Sequence, residues 1–336
     1  MFKRALTGVA AALLLIPTAA NAQSAGAFAG KTVQVIIGYG PGGGFDQWGR
    51  TLARHIGDHL PGNPTVIAEN MPGAGSYLAA SHIYSVAPKD GTVFALIDPT
   101  AILGPIMGAA AARFDPTKMS WLGTPTRDTP VCIASGNAEV KSASDLFNKQ
   151  LIVGDNGAGS TTHSYPTAIA GLLGMKFKLV AGFPASADVL LAMDRGEVEG
   201  ICESLESIVK MRSDWLSTGK ARVLFQGATA QNPDLKGVPN ILDLAQTDEE
   251  KQALSFLYAG QAIGRPFVAP PGLTPGSLKM LRDAFDATMK DPSFVADANG
   301  QKLLVNPLDG STVAGLVEKI YATPKPIVEK VAKLIQ

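Results

Sequence analysis

Short apolar runs alternate along this chain with longer stretches of helical periodicity, and glycine-rich turns separate the two. Residues 33–37 read as a strand and residues 45–60 as a helix. Residues 65–68 read as the next strand, and the turn Asn70-Met71-Pro72-Gly73-Ala74-Gly75 opens a helix that runs to Tyr84. Lys89-Asp90-Gly91 then turns the chain into a strand at 93–97. A second series begins near Pro130, with strands at 130–134 and 151–154, a helix at 161–173, a strand at 177–180, a helix at 186–194 and a strand at 198–202. The remainder reads as a strand at 262–268, the rigid turn Pro270-Pro271-Gly272, a helix that Thr274 caps and Pro275 begins, and further helices from Asp291 and Ser311. Strands alternating with helices of about ten or more residues indicate βαβ units, whose sites lie at the carboxyl ends of the strands.

One turn in this rhythm carries the chemistry. Gly40-Pro41-Gly42-Gly43-Gly44-Phe45-Asp46 links the first strand to the first helix. Its glycines leave backbone N–H groups uncovered and tolerate positive φ, and the helix that follows adds its partial positive end, so the turn favours an anion such as a carboxylate or phosphate. A tight turn without a ligand is the alternative. The same device recurs at Asp155-Asn156-Gly157-Ala158-Gly159-Ser160, where Ser160 either donates to a ligand oxygen or caps the following helix. Two such turns, one in each half, suggest two α/β lobes that close on a ligand between them.

The N-terminus bears on the compartment. Met1-Phe2-Lys3-Arg4 is basic, residues 5–16 are apolar but short for a bilayer span, and Ala20-Asn21-Ala22 offers small residues for cleavage, so a secretory signal peptide removed after Ala22 is expected. Its removal leaves 27 basic against 29 acidic side chains. That balance argues against nucleic acid and anionic membrane surfaces as partners, and no later run is of spanning length, so no stable membrane insertion is expected. With 46% hydrophobic and 17% charged residues, the chain fills a core, and its length suits two domains. In an exported protein, Cys132 and Cys202 are compatible with one disulfide, with two buried thiols as the alternative.

Other candidate chemistry is weaker. Ser160 and His163 resemble a nucleophile and base, but there is no Gly-x-Ser-x-Gly elbow and no acidic partner in the motif, so no catalytic residue is assigned. His55 and His59 have metal-ligand spacing on one helix face without the glutamate of a metalloprotease motif; a solvent-facing helix is preferred, and neither metal nor cofactor is expected. Arg127 and Arg265 are placed where each can fork onto a carboxylate, with surface salt bridges as the default. Glu203 and Glu206, after the strand ending at Cys202, are placed to select a ligand hydroxyl or amine, or simply begin an exposed helix.

Several motifs in order resemble those of one family: Pro41-Gly42-Gly43-Gly44-Phe45-Asp46, Glu69-Asn70-Met71-Pro72-Gly73-Ala74-Gly75, Ala87-Pro88-Lys89-Asp90-Gly91-Thr92, Gly157-Ala158-Gly159-Ser160-Thr161-Thr162-His163 and Ala269-Pro270-Pro271-Gly272. Across essentially the whole mature chain, the sequence is similar to the periplasmic solute receptors of tripartite tricarboxylate transporters, the Bug receptors. The resemblance implies an α/β, two-lobed type II periplasmic binding protein fold with mostly parallel sheets and a ligand cleft between lobes. Lobe 1 would comprise residues 23–125 and 260–336, and lobe 2 residues 126–259. It implies a monomer in the periplasm that binds a small carboxylate (a di- or tricarboxylate or an aromatic acid) and hands it to the transporter's membrane permease subunits. Carried onto this chain, the ligand set is Gly42, Gly43, Gly44, Asp46, Gly159, Ser160 and His163, with Thr161 beside them and Asp98 and Thr100 facing the cleft. Two departures bear on the ligand. Phe45 stands where the family has threonine, and Ala181-Gly182-Phe183-Pro184-Ala185 replaces a Pro-Tyr-Arg-Gly run, which removes an arginine and adds Phe183 to the cleft alongside Glu203. An exported hydrolase and a sensor presenting its liganded form to a membrane signalling protein are the competing functions.

Overall fold

The computed structural model describes residues 26–157, 160–184, 186–227, 231–232 and 234–335. The signal peptide with its expected cleavage after Ala22, Gly159 of the second glycine turn, and the neighbouring Ala158 and Ala185 lie outside the described residues.

The first half forms β1 (Thr32–Ile37), α1 (Gly44–His55), β2 (Thr65–Asn70), α2 (Tyr77–Ser85), β3 (Val93–Leu96) and β4 (Ser120–Thr124). The chain then builds β5 (Pro130–Ser135), β6 (Leu151–Gly154), α3 (Thr161–Leu173), β7 (Phe177–Val180), α4 (Ser186–Arg195), β8 (Gly200–Ser204), α5 (Leu205–Met211), α6 (Trp215–Thr218), β9 (Ala221–Gln226) and α7 (Asp248–Ala259). It returns with β10 (Phe267–Ala269), α8 (Pro275–Thr288), α9 (Pro292–Gly300), β11 (Leu308–Asp309), α10 (Gly310–Tyr321) and α11 (Lys325–Ile335).

These strands form two sheets, ordered β11-β4-β10-β3-β1-β2 and β7-β6-β8-β5-β9. In the first, β1 lies parallel between β2 and β3, with Val35 opposite Ala68 and Phe94. In the second, β6 lies parallel between β7 and β8. The sheets are mixed and not mostly parallel, because strands that follow a crossing between the sheets enter from the opposite end: β10 is antiparallel to β3 and β4, and β5 to β8 and β9. Val33, Val35, Trp48, Leu52, Phe94, Phe267 and Phe285 fill the core on one face of the first sheet. Val131, Ile133, Val189, Leu190 and Ile201 fill that on one face of the second. The last helix, α11, packs on α3 and α7, where Gly171 allows a close approach: a Cβ there would lie 2.3 Å from Leu334.

Two crossings run side by side between the sheets. Thr124 Oγ1 donates to the Thr126 carbonyl at 2.7 Å and accepts from the Arg265 N–H at 3.0 Å. Gly264 adopts φ +66°, and a Cβ there would lie 1.9 Å from the Thr126 oxygen, so the crossing requires glycine on two counts. This turn also shortens the strand expected at 262–268 to Phe267–Ala269. The expected helix at 45–60 likewise ends at His55 and gives way to a 3-10 turn, Ile56–His59. Cys132 and Cys202 occupy opposed positions on β5 and β8, are both buried, and are joined by a disulfide.

Candidate functional site

The glycine turn after β1 is held from beneath by Asp46. Its carboxylate accepts from the Gly42 N–H at 2.9 Å, from Asn70 Nδ2 at 2.8 Å and from Arg50 Nε at 2.9 Å. Asn70 also donates to the Tyr39 carbonyl at 2.8 Å, which ties the end of β2 to the turn. Burial pushes the Asp46 carboxyl up, but the Gly42 N–H, Asn70 and Arg50 together outweigh it and hold the group below the usual carboxylate range. Asp46 is therefore an organiser of the turn, with its oxygens already committed. Gly42 has φ +90°, and Gly42, Gly43 and Gly44 are all exposed. Gly43 is the N-cap and brings no side chain to that position. Among the described residues, the N–H groups of Gly44, Phe45 and Asp46 find no protein acceptor, so the start of α1 carries unsatisfied donors.

Phe45 is the centre of a stack. Its ring lies 4.4 Å from that of Tyr39 at 28°, and the Arg265 guanidinium sits over its other side, 4.2 Å from the centroid. Arg265 comes from the second crossing, and its Nη2 lies 3.9 Å from where a Cβ of Gly44 would be. The guanidinium makes no hydrogen bond or ion pair among the described residues, and its Nε is both buried and unpartnered. A cation beside open helix N-terminal amides is a carboxylate or phosphate site in waiting. Arg127, the other arginine singled out from sequence, points elsewhere and donates to Asn306.

Asp98 caps the short helical turn after β3. It accepts from the Tyr39 hydroxyl at 2.6 Å and from the Thr100 N–H at 2.7 Å, so it too is a support, here for Tyr39 and the turn after β3. Burial and then Asp98 push the Tyr39 hydroxyl well above its ordinary range, which leaves it a neutral donor.

The second turn is equally well knit. Asp155 is fully buried and takes the Gly157 N–H and, at 3.2 Å, His163 Nδ1. Ser160 caps α3: its Oγ accepts from the His163 N–H at 3.2 Å and donates to the Gly157 carbonyl at 2.7 Å. Asn156 holds the loop after β7 through the Phe183 carbonyl, and Phe183 packs against the core of the second sheet next to Gly154.

Three carboxyl groups feel the charge of Arg265: Asp128 of the first crossing, Glu203 of β8 and Glu206 of α5. Asp128 accepts from Ser204 Oγ at 2.7 Å; Glu203 accepts from the Ser204 N–H at 2.8 Å and from the Ser186 hydroxyl. Glu206 lies toward the Trp48 indole of α1, yet its Oε2 and the indole Nε1 are both buried without a hydrogen bond of ordinary geometry. Burial pushes all three carboxyls up, and Arg265 opposes that in each. Nearby, Lys210 of α5 donates to Gln47 of α1.

A separate groove of about 350 Å³ lies between Thr100, Leu103 and Met107 on one side and Ser160, Thr161, Ser164 and Tyr165 on the other. The structure thus brings Gly42 to Asp46 together with Arg265, and Thr100 together with Ser160 and Thr161. Sequence patterning alone placed Arg265 no better than Arg127; its signal is an unpaired guanidinium, visible only once its neighbours are known. A larger groove of about 650 Å³ between α7 and α10 is lined by Phe256, Leu316 and Ile320 and has no glycine turn. His55 and His59 are committed to Asp297 and Asp291, each at 2.9 Å, which ties the end of α1 to α9 and the 3-10 turn after it to the α9 N-cap.

The architecture has known counterparts. A TctC solute-binding protein from Polaromonas superposes with a TM-score of 0.69 at 21% identity, over 89% of this chain and 98% of the other. The fold is that of the TctC solute-binding proteins. MatC from Rhodopseudomonas palustris, solved with bound malate, shares this TctC fold with a TM-score of 0.61 at 20% identity, covering 89% of this chain and 99% of its own. In sequence, the chain is 26% identical over 309 residues to the UPF0065 protein in the gbd 5'region of Cupriavidus necator, covering 86% of this chain and 85% of that one. No protein-family model matches the chain.

Proposed function

We propose that this protein is a periplasmic solute receptor that captures a small organic carboxylate between its lobes and delivers it to the permease of a tripartite tricarboxylate-type transporter. The observation that carries this reading is the Arg265 guanidinium, unpaired among the described residues and stacked on Phe45 beside the open amides of α1. One ligand carboxylate would bridge those amides and Arg265, and closure would bring Thr100, Ser160 and Thr161, which line a second groove, toward it. Residues 23–125 with 260–336 would form one lobe and 126–259 the other, hinging at Thr124–Thr126 and Gly264. Ligand contact with both lobes would favour the closed state over the open one. The bound malate of MatC supports a carboxylate as the guest.

A hydrolase is disfavoured by the geometry of Ser160. Its hydroxyl is engaged by the Gly157 carbonyl, Thr162 Oγ1 and the His163 backbone, while the His163 ring turns Nδ1 to Asp155. Among the described residues, no histidine ring nitrogen or carboxylate accepts a hydrogen bond from the Ser160 hydroxyl as a general base would.

The test is a thermal-shift screen of protein unfolded and refolded to remove carried-over ligand, against mono-, di- and tricarboxylates, aromatic acids and amino acids. A ligand at a hundred times its dissociation constant stabilises by about 2.7 kcal/mol, a shift of several degrees. A hit that Arg265→Ala abolishes, with unchanged ligand recovered after long incubation, is the expected result. Turnover of the ligand, or no shift from any carboxylate, would overturn the receptor assignment.

A further inference from the structure

Besides the paired crossings at Thr124–Thr126 and Gly264, a third segment joins the two sheets. α10 belongs with the first sheet. It begins at Gly310, directly after Leu308 has paired with Thr124 of β4, packs along β4, and ends at Tyr321, whose hydroxyl donates to the Ile102 carbonyl at 3.0 Å. α11 follows after only Ala322, Thr323 and Pro324, yet it packs on α3 and α7, and α3 lies on β7 and β8 of the second sheet.

The hold of α11 on the second sheet is extensive. Ile327, Val328, Val331 and Ala332 form one buried stripe at helical spacing. Leu334 fills the space that Gly171 of α3 leaves open, and Lys330 Nζ lies 2.9 Å from Glu249 of α7. The linker has little slack. Three steps from Ala322 to Lys325 span at most about 11 Å, and Pro324 fixes its own φ and restricts Thr323. α10 is 12 residues long, or about 18 Å, so the paired crossings and the linker hold it at opposite ends. The groove of about 650 Å³ between α7 and α10 is lined by Thr323 and Pro324 of the linker, which leaves α7 room to turn relative to α10.

Two bodies joined at two separated points keep one free rotation, about the line through those points. We propose that α10 is the axle of lobe closure, pinned at its start by the paired crossings and at its end by residues 322–324, which act as a strap against twisting and splaying. This rests on the receptor assignment, and it transfers α11 from the lobe of residues 260–336 to the other one. The consequence for capture is a single path of closure, which returns the same cleft walls to the same register.

The test lengthens the strap and measures the spread of lobe positions in the ligand-stripped full chain. Cys132 and Cys202 are the two native cysteines and are joined to each other, so nitroxide labels can be placed at Ser85→Cys and Lys178→Cys, exposed positions on α2 of the first sheet and β7 of the second. Inserting Gly-Ser-Gly-Ser between Thr323 and Pro324 raises the reach of the linker to about 25 Å. Pulsed electron paramagnetic resonance should then show an interlabel distance distribution at least about twice as wide as that of the labelled protein without the insertion, with hydrogen-exchange protection of residues 325–335 retained. Pro324→Gly, which keeps the length, should leave the width as it is. An unchanged width on insertion overturns the axle. So does broadening that Pro324→Gly reproduces, or that comes with loss of protection in α11, because the helix then has no independent hold on the second sheet. The receptor assignment is tested separately by the ligand screen and survives each of these results.

Discussion

Asp46→Asn separates a residue that builds the binding turn from one that touches the ligand. In the native turn, one oxygen of Asp46 takes Asn70 and Arg50, and the other takes the Gly42 N–H. Asparagine can keep the first two on its single carbonyl oxygen, but its NH₂ then faces the Gly42 N–H, donor against donor. Flipping the amide opposes two donors instead of one. Loss of the Gly42 bond to a charged acceptor is worth about 1.5–3 kcal/mol. The weakened pairing with Arg50, whose side chain is 43% exposed, adds less than about 1 kcal/mol because water screens it. The expected destabilisation of the ligand-free protein is about 2–3 kcal/mol, or roughly 3–5 °C by calorimetry. Affinity for the carboxylate should fall as well, since the amides of α1 lose their alignment. The pH dependence follows from the sign of the shift. The Asp46 carboxyl is held below its unfolded value of about 3.9, so its stabilisation is complete above that pH and lost as pH falls through the folded value. Wild type and variant should therefore converge in acid. Unchanged thermal stability of ligand-free Asp46→Asn at neutral pH, with affinity alone reduced, would refute the role of Asp46 as organiser.

Phe45→Thr removes the Tyr39 stack and the plate beneath Arg265, and should weaken carboxylate binding by about 1–2 kcal/mol in titration calorimetry with the fold intact. An unaltered affinity would mean that the stack does not position Arg265. Gly264→Ala places a methyl against the Thr126 carbonyl in a left-handed backbone conformation, and should cost more than about 2 kcal/mol in urea unfolding. Loss below about 0.5 kcal/mol would show the crossings to be freely adjustable. Replacing Cys132 and Cys202 together by serine opens a cross-link between residues 70 apart in sequence, for which loop entropy gives roughly 4 kcal/mol; urea unfolding with and without reductant measures it.

Periodicity and turn chemistry carried most of the architecture. The helix expected at 161–173 and the strands expected at 151–154 and 177–180 have those same bounds, because a capping serine, a terminal glycine and short apolar runs are local signals. The sheets' mixed directions were not legible, since whether β5 or β10 pairs antiparallel depends on which end of a sheet the chain enters after crossing. In the candidate site, the glycine turn was legible, but the division of labour within it was not. Asp46 reads from sequence as a ligand contact, and only its bonds to Gly42, Asn70 and Arg50 show that its oxygens are occupied. The same holds for Ser160, where ligand donor and helix cap are written with the same residue.

Phe45 and Arg265 show why a departure from a family pattern has to be weighed with its neighbours. Beside glycine amides, threonine would bring a small hydroxyl, and phenylalanine alone would merely narrow the turn. Here the ring is held on one side by Tyr39, itself anchored by Asp98, and offers its other side to an arginine arriving from the crossing between the lobes. An arginine free in solution loses roughly 2 kcal/mol of rotamer entropy when a ligand fixes it. Stacking on Phe45 takes much of that loss before the ligand arrives, so the cation is presented already oriented. Because Arg265 follows Gly264 in the crossing, the proposed closure would move the charge that attracts a carboxylate together with the lobe that encloses it.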